Sequence, residues 1–113
     1  MGKSNQSRIE LLQGTLGLMI LRTLLFGSSH GHAIAKHIRT ASQEVLQVET
    51  GSLYPALHRL EALGWIEAEW RISDKGKNAK FYRLTRTGRK QLVAEQSKWD
   101  ELSAAIGRVL RPA

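Results

Sequence analysis

Leu12, Leu16, Met19, Ile20 and Thr23 recur at threes and fours between Ile9 and Phe26, the period of a helix with one buried face. Leu11, Leu18, Leu21 and Leu25 add apolar surface elsewhere on this segment, so it is expected to be covered from several sides. Gly27-Ser28-Ser29-His30-Gly31 then breaks the pattern. A second, narrower stripe follows in Ile34, Ile38 and Ala41, with Lys36, His37 and Arg39 on other faces. Val45, Leu46 and Val48, within residues 43–49, suffice for a short extended segment. A third helix is expected to start near residues 50–52, with Ser52 as its cap, because that places Pro55 in the first turn, where no intrahelical N–H is lost.

In this third helix Leu53, Ala56, Leu57, Leu60 and Leu63 share one face, whereas Tyr54, Pro55, His58, Arg59 and Ala62 lie opposite. Gly64 stands where helices commonly end. The period then changes to two. Ile66, Ala68, Trp70 and Ile72 alternate with Glu67, Glu69 and Arg71, which predicts a strand with one buried face. The turn-rich basic loop 73–79 and the segment Lys80–Leu84 complete a hairpin with a positive tip. Thr85 caps a last helix in which Leu92, Gln96, Trp99, Leu102, Ile106 and Val109 have the spacing of a coiled-coil seam. No other segment remains to cover that seam, so a second subunit is its simplest partner.

Helix, helix, short strand, helix and basic hairpin is the order of a winged helix-turn-helix: mainly α with a small β-wing, an α+β fold carrying an added C-terminal dimerisation helix. The expected organisation is a loose arm over residues 1–8, a DNA-binding domain over 9–85 and the dimerisation helix over 86–111. In such a fold the third helix enters the major groove and the wing reaches the adjacent backbone or minor groove.

Charge sharpens this picture. The 113 residues carry 17 Lys and Arg against 10 Asp and Glu, a net +7. Residues 71–90 alone hold Arg71, Lys75, Lys77, Lys80, Arg83, Arg86, Arg89 and Lys90 against the single acid Asp74. Such a segment suits a polyanion, above all DNA, which releases counterions when its phosphates are neutralised; an anionic membrane surface and a merely solvated strip also fit the charge. The absence of cysteine excludes a disulfide framework, a thiolate metal site and a cysteine nucleophile. His30, His32 and His37 lack both helical ligand spacing and a nearby carboxylate, so no metal and no cofactor are expected. No nucleophile–base pair, phosphate loop or paired carboxylate marks an enzyme. The longest apolar stretch, Leu16 to Phe26, is broken by Arg22 and Thr23, short of the roughly 20 residues that cross a bilayer. The N-terminus lacks the pattern of a secretory signal, so a cytoplasmic protein is expected.

The stretches GSLYPALHRLEALGWIEAEW, LLQGTLGLMILRTLLFGSSHGHAIAKHI and KFYRLTRTGRKQL resemble, in that order, the signature helix, the first two helices and the second wing strand of PadR-type transcriptional regulators. The resemblance runs from about Glu10 to Leu110, and the single short helix after the wing is similar to the smaller subfamily. His32 and Ala33 stand where members often carry tyrosine and glutamate. The resemblance implies a homodimer that swaps its first and last helices, binds a pseudo-palindromic operator on double-stranded DNA, and acts more often as a repressor, released by a small molecule. It adds a specific role for Trp99, stacking a flat aromatic effector between subunits, with Asp100 and Glu101 favouring cationic ones. The plainer role for Trp99 is the dimer core.

The residues assigned to DNA are Ser52, Tyr54, Pro55, His58 and Arg59 on the third helix, Lys36 and Arg39 on the second, and Lys75, Lys77, Asn78 and Lys80 on the wing. Arg59 suits a guanine edge or a phosphate, with Glu61 and Glu67 as its alternative partners. Tyr54 suits a phosphate or packing beside Pro55, and Ser52 is foremost a cap. Leu12, Leu16, Met19, Leu92, Trp99, Leu102, Ile106 and Val109 are assigned to the dimer interface. A protein–protein adaptor and a weakly specific architectural DNA-binding protein are the competing functions, since a fold does not fix a function.

Overall fold

A computed structural model of the chain describes residues 15–72 and 74–111. The expected arm, Leu12 and the start of the first helix lie outside the described residues. Residues 15–24 are helical (α1), followed by β1 (Ser29–His30), α2 (Gly31–Ala41), α3 (Thr50–Ala62), β2 (Ile66–Ile72), β3 (Asn78–Leu84) and α4 (Arg86–Leu110). The sheet is antiparallel in the order β1-β3-β2, with Ser29 opposite Tyr82 and Glu67 opposite Arg83.

The core is one cluster in which α1 contributes Leu16, Ile20, Leu21 and Leu24, α2 Ile34 and Ile38, and α3 Leu53, Ala56, Leu57 and Leu60. Ile66, Tyr82, Leu84 and Leu92 close it from the sheet and α4. Leu16 is 0% exposed and Leu92 4% exposed within their own chain. Both belong to the core of their own chain, and Met19 is half-buried against the same core.

Four local expectations are corrected. Residues 43–49 form no strand: Gln43 and Glu44 adopt left-handed φ values of 55° and 68°, which reverses the chain. The short third strand is instead Ser29–His30, inside the breaker cluster, where it pairs with β3. α3 starts at Thr50 with Glu49 as its N-cap. Ser52 is therefore no cap, because its own N–H already bonds to the Glu49 carbonyl (3.0 Å), and Pro55 lies inside the helix. Finally, only the proximal part of β2 has a buried face. Ile66 is 1% exposed, but Trp70 and Ile72 on the same side are 68% and 73% exposed, because the hairpin runs past the end of the helical layer.

Other local signals are fulfilled. Gly64, with a φ of 77°, follows the α3 cap, and the N–H groups of Gly64 and Trp65 bond to the carbonyls of Glu61 and Leu60 (both 3.0 Å), the paired closure that a left-handed glycine permits. Thr85 caps α4 by accepting the Gly88 N–H at 3.0 Å. Its hydroxyl donates to the Gly64 carbonyl (2.6 Å), and its N–H to that of Trp65 (3.1 Å). This brings α4 so close that a Cβ on Gly88 would lie 1.9 Å from the Trp65 carbonyl oxygen.

Gly88→Ala therefore forces backbone apart. Overpacking of this kind costs about 1–3 kcal/mol or more, and a fall in melting temperature of several degrees or more by circular dichroism is the expected outcome. Unchanged melting would show that the contact yields freely.

Candidate nucleic-acid interface

α3 is amphipathic across its width, with Leu53, Ala56, Leu57 and Leu60 buried while Pro55, His58 and Arg59 stand exposed on the opposite side. Tyr54 lies between the two. It is half-buried against the core, and its ring crosses the first residue of α2: a Cβ at Gly31 would sit 2.8 Å from its hydroxyl oxygen. Pro55 removes the N–H that would bond to Gly51, at a point where Gly51 is exposed.

Facing this helix is the wing. Between them runs an open groove of about 890 Å³. It brings together six of the residues expected at the DNA surface: Tyr54, His58, Lys75, Lys77, Asn78 and Lys80. Pro55 and Arg59 are exposed beside it on α3, and Ser52 is half-buried in the first turn. Lys36 and Arg39 are exposed on α2 outside the groove, and Arg39 pairs with Glu44 at 3.3 Å. The carboxylates expected as alternative partners of Arg59 are engaged elsewhere, Glu61 by Lys80 (3.3 Å) and Glu67 by Arg83 (2.7 Å).

Lys80 ties the wing to α3 through Glu61, and its ammonium lies 5.6 Å from the ring centre of Tyr82. Burial pushes the Tyr82 phenol up from its ordinary pKa, with Lys80 opposing and Glu61 and Tyr54 reinforcing. Tyr82 is thus a neutral floor to the groove. His30 closes the near end as the α2 N-cap, its Nδ1 accepting the Ala33 N–H at 3.2 Å, with Phe81 against it edge-to-face at 5.4 Å.

The basic segment proves to be three groups. On the outer face of the hairpin Arg83 is bonded to Glu67, while Arg71 pairs with Glu69 and lies 4.9 Å over the Phe81 ring. These arginines are neutralised locally. Arg86, Arg89 and Lys90 sit in the first turns of α4, at the base of the hairpin, some 20 Å from the tip at about 3.4 Å per strand residue. Among the described basic residues of this segment, Lys75, Lys77 and Lys80 line the groove. The periodicity of β2 hid one further groove residue: Trp70 reads as core but lines the same surface.

A second cavity, of about 430 Å³, lies between α1, α2 and α4. Leu18, Met19, Ile38 and Trp99 give it an apolar wall, and Arg22, His37 and Asp100 line it with charge or polarity. Beyond it the seam of α4 is open: Trp99 is 42%, Leu102 53%, Ile106 46% and Val109 76% exposed. No helix among the described residues is long and apolar enough to cross a membrane.

Residues 20–94 match the transcriptional regulator PadR-like family. The chain is 32% identical over 100 residues to an uncharacterized protein of Lysinibacillus sphaericus, a span of 88% of this chain and 91% of that one. It is also 32% identical over 97 residues to a transcriptional regulator of Mycobacterium tuberculosis, covering 86% of this chain and 87% of that one. Among solved structures it resembles a transcriptional regulator from Clostridium thermocellum, with a TM-score of 0.82, 27% identity and coverage of 90% and 99% of the two chains. A PadR family transcriptional regulator from Eggerthella lenta gives a TM-score of 0.77 at 28% identity, with 99% and 96% covered.

The division of the charge has a measurable consequence. Lys75→Ala with Lys77→Ala is expected to weaken all duplexes alike and to flatten the dependence of log affinity on log salt by about 1 per lost phosphate contact. Arg71→Ala with Arg83→Ala, which removes the same formal charge, is expected to leave that slope nearly unchanged. Equal slopes for the two pairs, measured by fluorescence anisotropy, would refute the division.

Proposed function

This chain belongs to the PadR-like family of transcriptional regulators, and we propose that it is a homodimeric, sequence-specific DNA-binding repressor of the cytoplasm, released by a small aromatic effector. The observation that carries this reading is the pairing of an exposed α3 face with the lysine-lined groove beside it. His58 and Arg59 can reach base edges from a helix whose other face is committed to the core, while Lys75 and Lys77 hold the flanking backbone. A pseudo-palindromic operator then follows from two-fold symmetry. In this reading residues 9–85 are the DNA-binding unit and residues 86–111 the dimerisation helix.

Dimerisation is supported by the open seam. α4 is 25 residues long, about 38 Å at 1.5 Å per residue, and its only buried residues are Gly88 and Leu92 near its start. Trp99, Leu102, Ile106 and Val109 leave a stripe that a second α4 would cover, with Met19 of α1 beside it on the shared cavity. Trp99 is common to seam and cavity, so a ligand stacked there would bear on the relation between subunits and hence on the spacing of the two recognition helices. Asp100 on the same cavity favours a cationic ligand.

Arg59→Ala is expected to weaken operator binding by about 1–3 kcal/mol with little change on random duplex, if it reads a base edge; equal losses on both would make it a phosphate contact. Leu102→Asp with Ile106→Asp should produce monomers in analytical ultracentrifugation, and a folded double variant that stays dimeric would defeat the role given to α4. A planar aromatic cation such as acridine orange should quench the tryptophan emission of the wild type far more than that of Trp99→Phe. Equal quenching would remove the effector site from Trp99.

A further inference from the structure

Trp70 is the residue on which the regularities of this chain disagree. It occupies the side of β2 that begins with buried Ile66 and half-buried Ala68, yet its side chain is 68% exposed. With Ile72, 73% exposed on the same side of β2, it makes a contiguous apolar surface rimmed by polar groups, the kind of patch that marks an interaction site. Its surroundings say which kind. Trp70 lies in register with Lys80 across the hairpin and lines the groove with His58, Lys75, Lys77 and Asn78, where Asp74 is the one acid among the described lining residues. The surface is therefore an apolar plate flanked by cations, open to solvent between α3 and the wing.

A helix lying in the major groove and a wing reaching the neighbouring minor groove straddle the sugar–phosphate ridge that separates them. That ridge alternates apolar deoxyribose faces with anionic phosphates, the complement of a plate between lysines. We infer that the groove between α3 and the wing seats one DNA strand by its backbone, with the Trp70 indole packed on a deoxyribose and Lys75 and Lys77 on the neighbouring phosphates. The indole N–H is a donor that can reach a phosphate from the same position. Trp70 is then an affinity residue with no sequence preference of its own, and one whose contribution releases no counterion. This rests on the DNA-binding reading above and adds to it the element that the wing grips.

The test uses the full chain with its native upstream duplex and a random duplex of equal length, titrated across a salt series by fluorescence anisotropy. Trp70→Ala should lose about tenfold in affinity on both duplexes, a loss in the range of single aromatic contacts to nucleic acid, with the salt slope unchanged because no cation is removed. Trp70→Phe should recover part of the loss, and the quenching of tryptophan emission by duplex should be smaller in Trp70→Phe than in the wild type. Melting curves and sedimentation for both variants show whether fold and assembly are kept. Unchanged affinity for Trp70→Ala on both duplexes overturns the inference. So does a loss confined to the native duplex, which would make Trp70 a base reader, or a loss that tracks dissociation of subunits, which would place it against a protein partner. If the wild type binds neither duplex, it is the DNA-binding reading itself that falls, a result separate from any behaviour of the variants.

Discussion

The first turn of α4 lies against the turn between α3 and β2 so closely that no side chain fits between them. A Cβ on Gly88 would be 1.9 Å from the Trp65 carbonyl oxygen, and Thr85 stitches the same junction with bonds to the Gly64 and Trp65 carbonyls. Three elements meet at this point: the end of α3, the base of the hairpin and the start of the helix that carries the seam. Their directions are fixed relative to one another by short backbone contacts instead of by long side chains. A left-handed Gly64 closes α3 at the same place, so two glycines make the junction possible for different reasons, one by conformation and one by size.

From that junction the two faces of α3 acquire different tasks. Leu53, Leu57 and Leu60 anchor it to α1 and α2 in the core, while His58 and Arg59 are held outward without engaging Glu61 or Glu67. Those two carboxylates act on the wing instead. Glu61 pulls Lys80 toward α3, and Glu67 and Glu69 neutralise Arg83 and Arg71 on the outer face. Acidic residues thus shape the positive field of this basic protein, engaging both outer-face arginines but only Lys80 of the three lysines that line the groove. Exposed pairs of this kind contribute little to stability; their consequence is the direction of the field.

The helix stripes of α2 and α3, the hairpin and the caps at Gly64 and Thr85 were legible in the sequence, because each is set by residues within a turn or two of one another. Helical period, left-handed glycine and threonine cap are local physics, and the order of the helices and the hairpin follows from them. The polar face of α3 was legible for the same reason, and so were the wing lysines, as the charge is plain in the residue count.

What only the tertiary structure decided is every question of reach. Alternation along β2 cannot say where the helical layer ends, so Trp70 and Ile72 read as core although they extend past it. Composition cannot pair charges across a sheet, so one basic segment became a neutralised outer face, a groove and a separate cluster at the base of α4. Spacing cannot say whether a leucine faces its own chain or another, and Leu16 and Leu92 turned inward. Two-residue pairing at Ser29–His30 has too few residues to show a period, and exists only because β3 lies alongside. The sequence by itself determined the helices, the hairpin and the chemistry on each face; the packing of those elements decided where the short strand pairs and which faces remain open, since exposure is a property of neighbours distant in the chain.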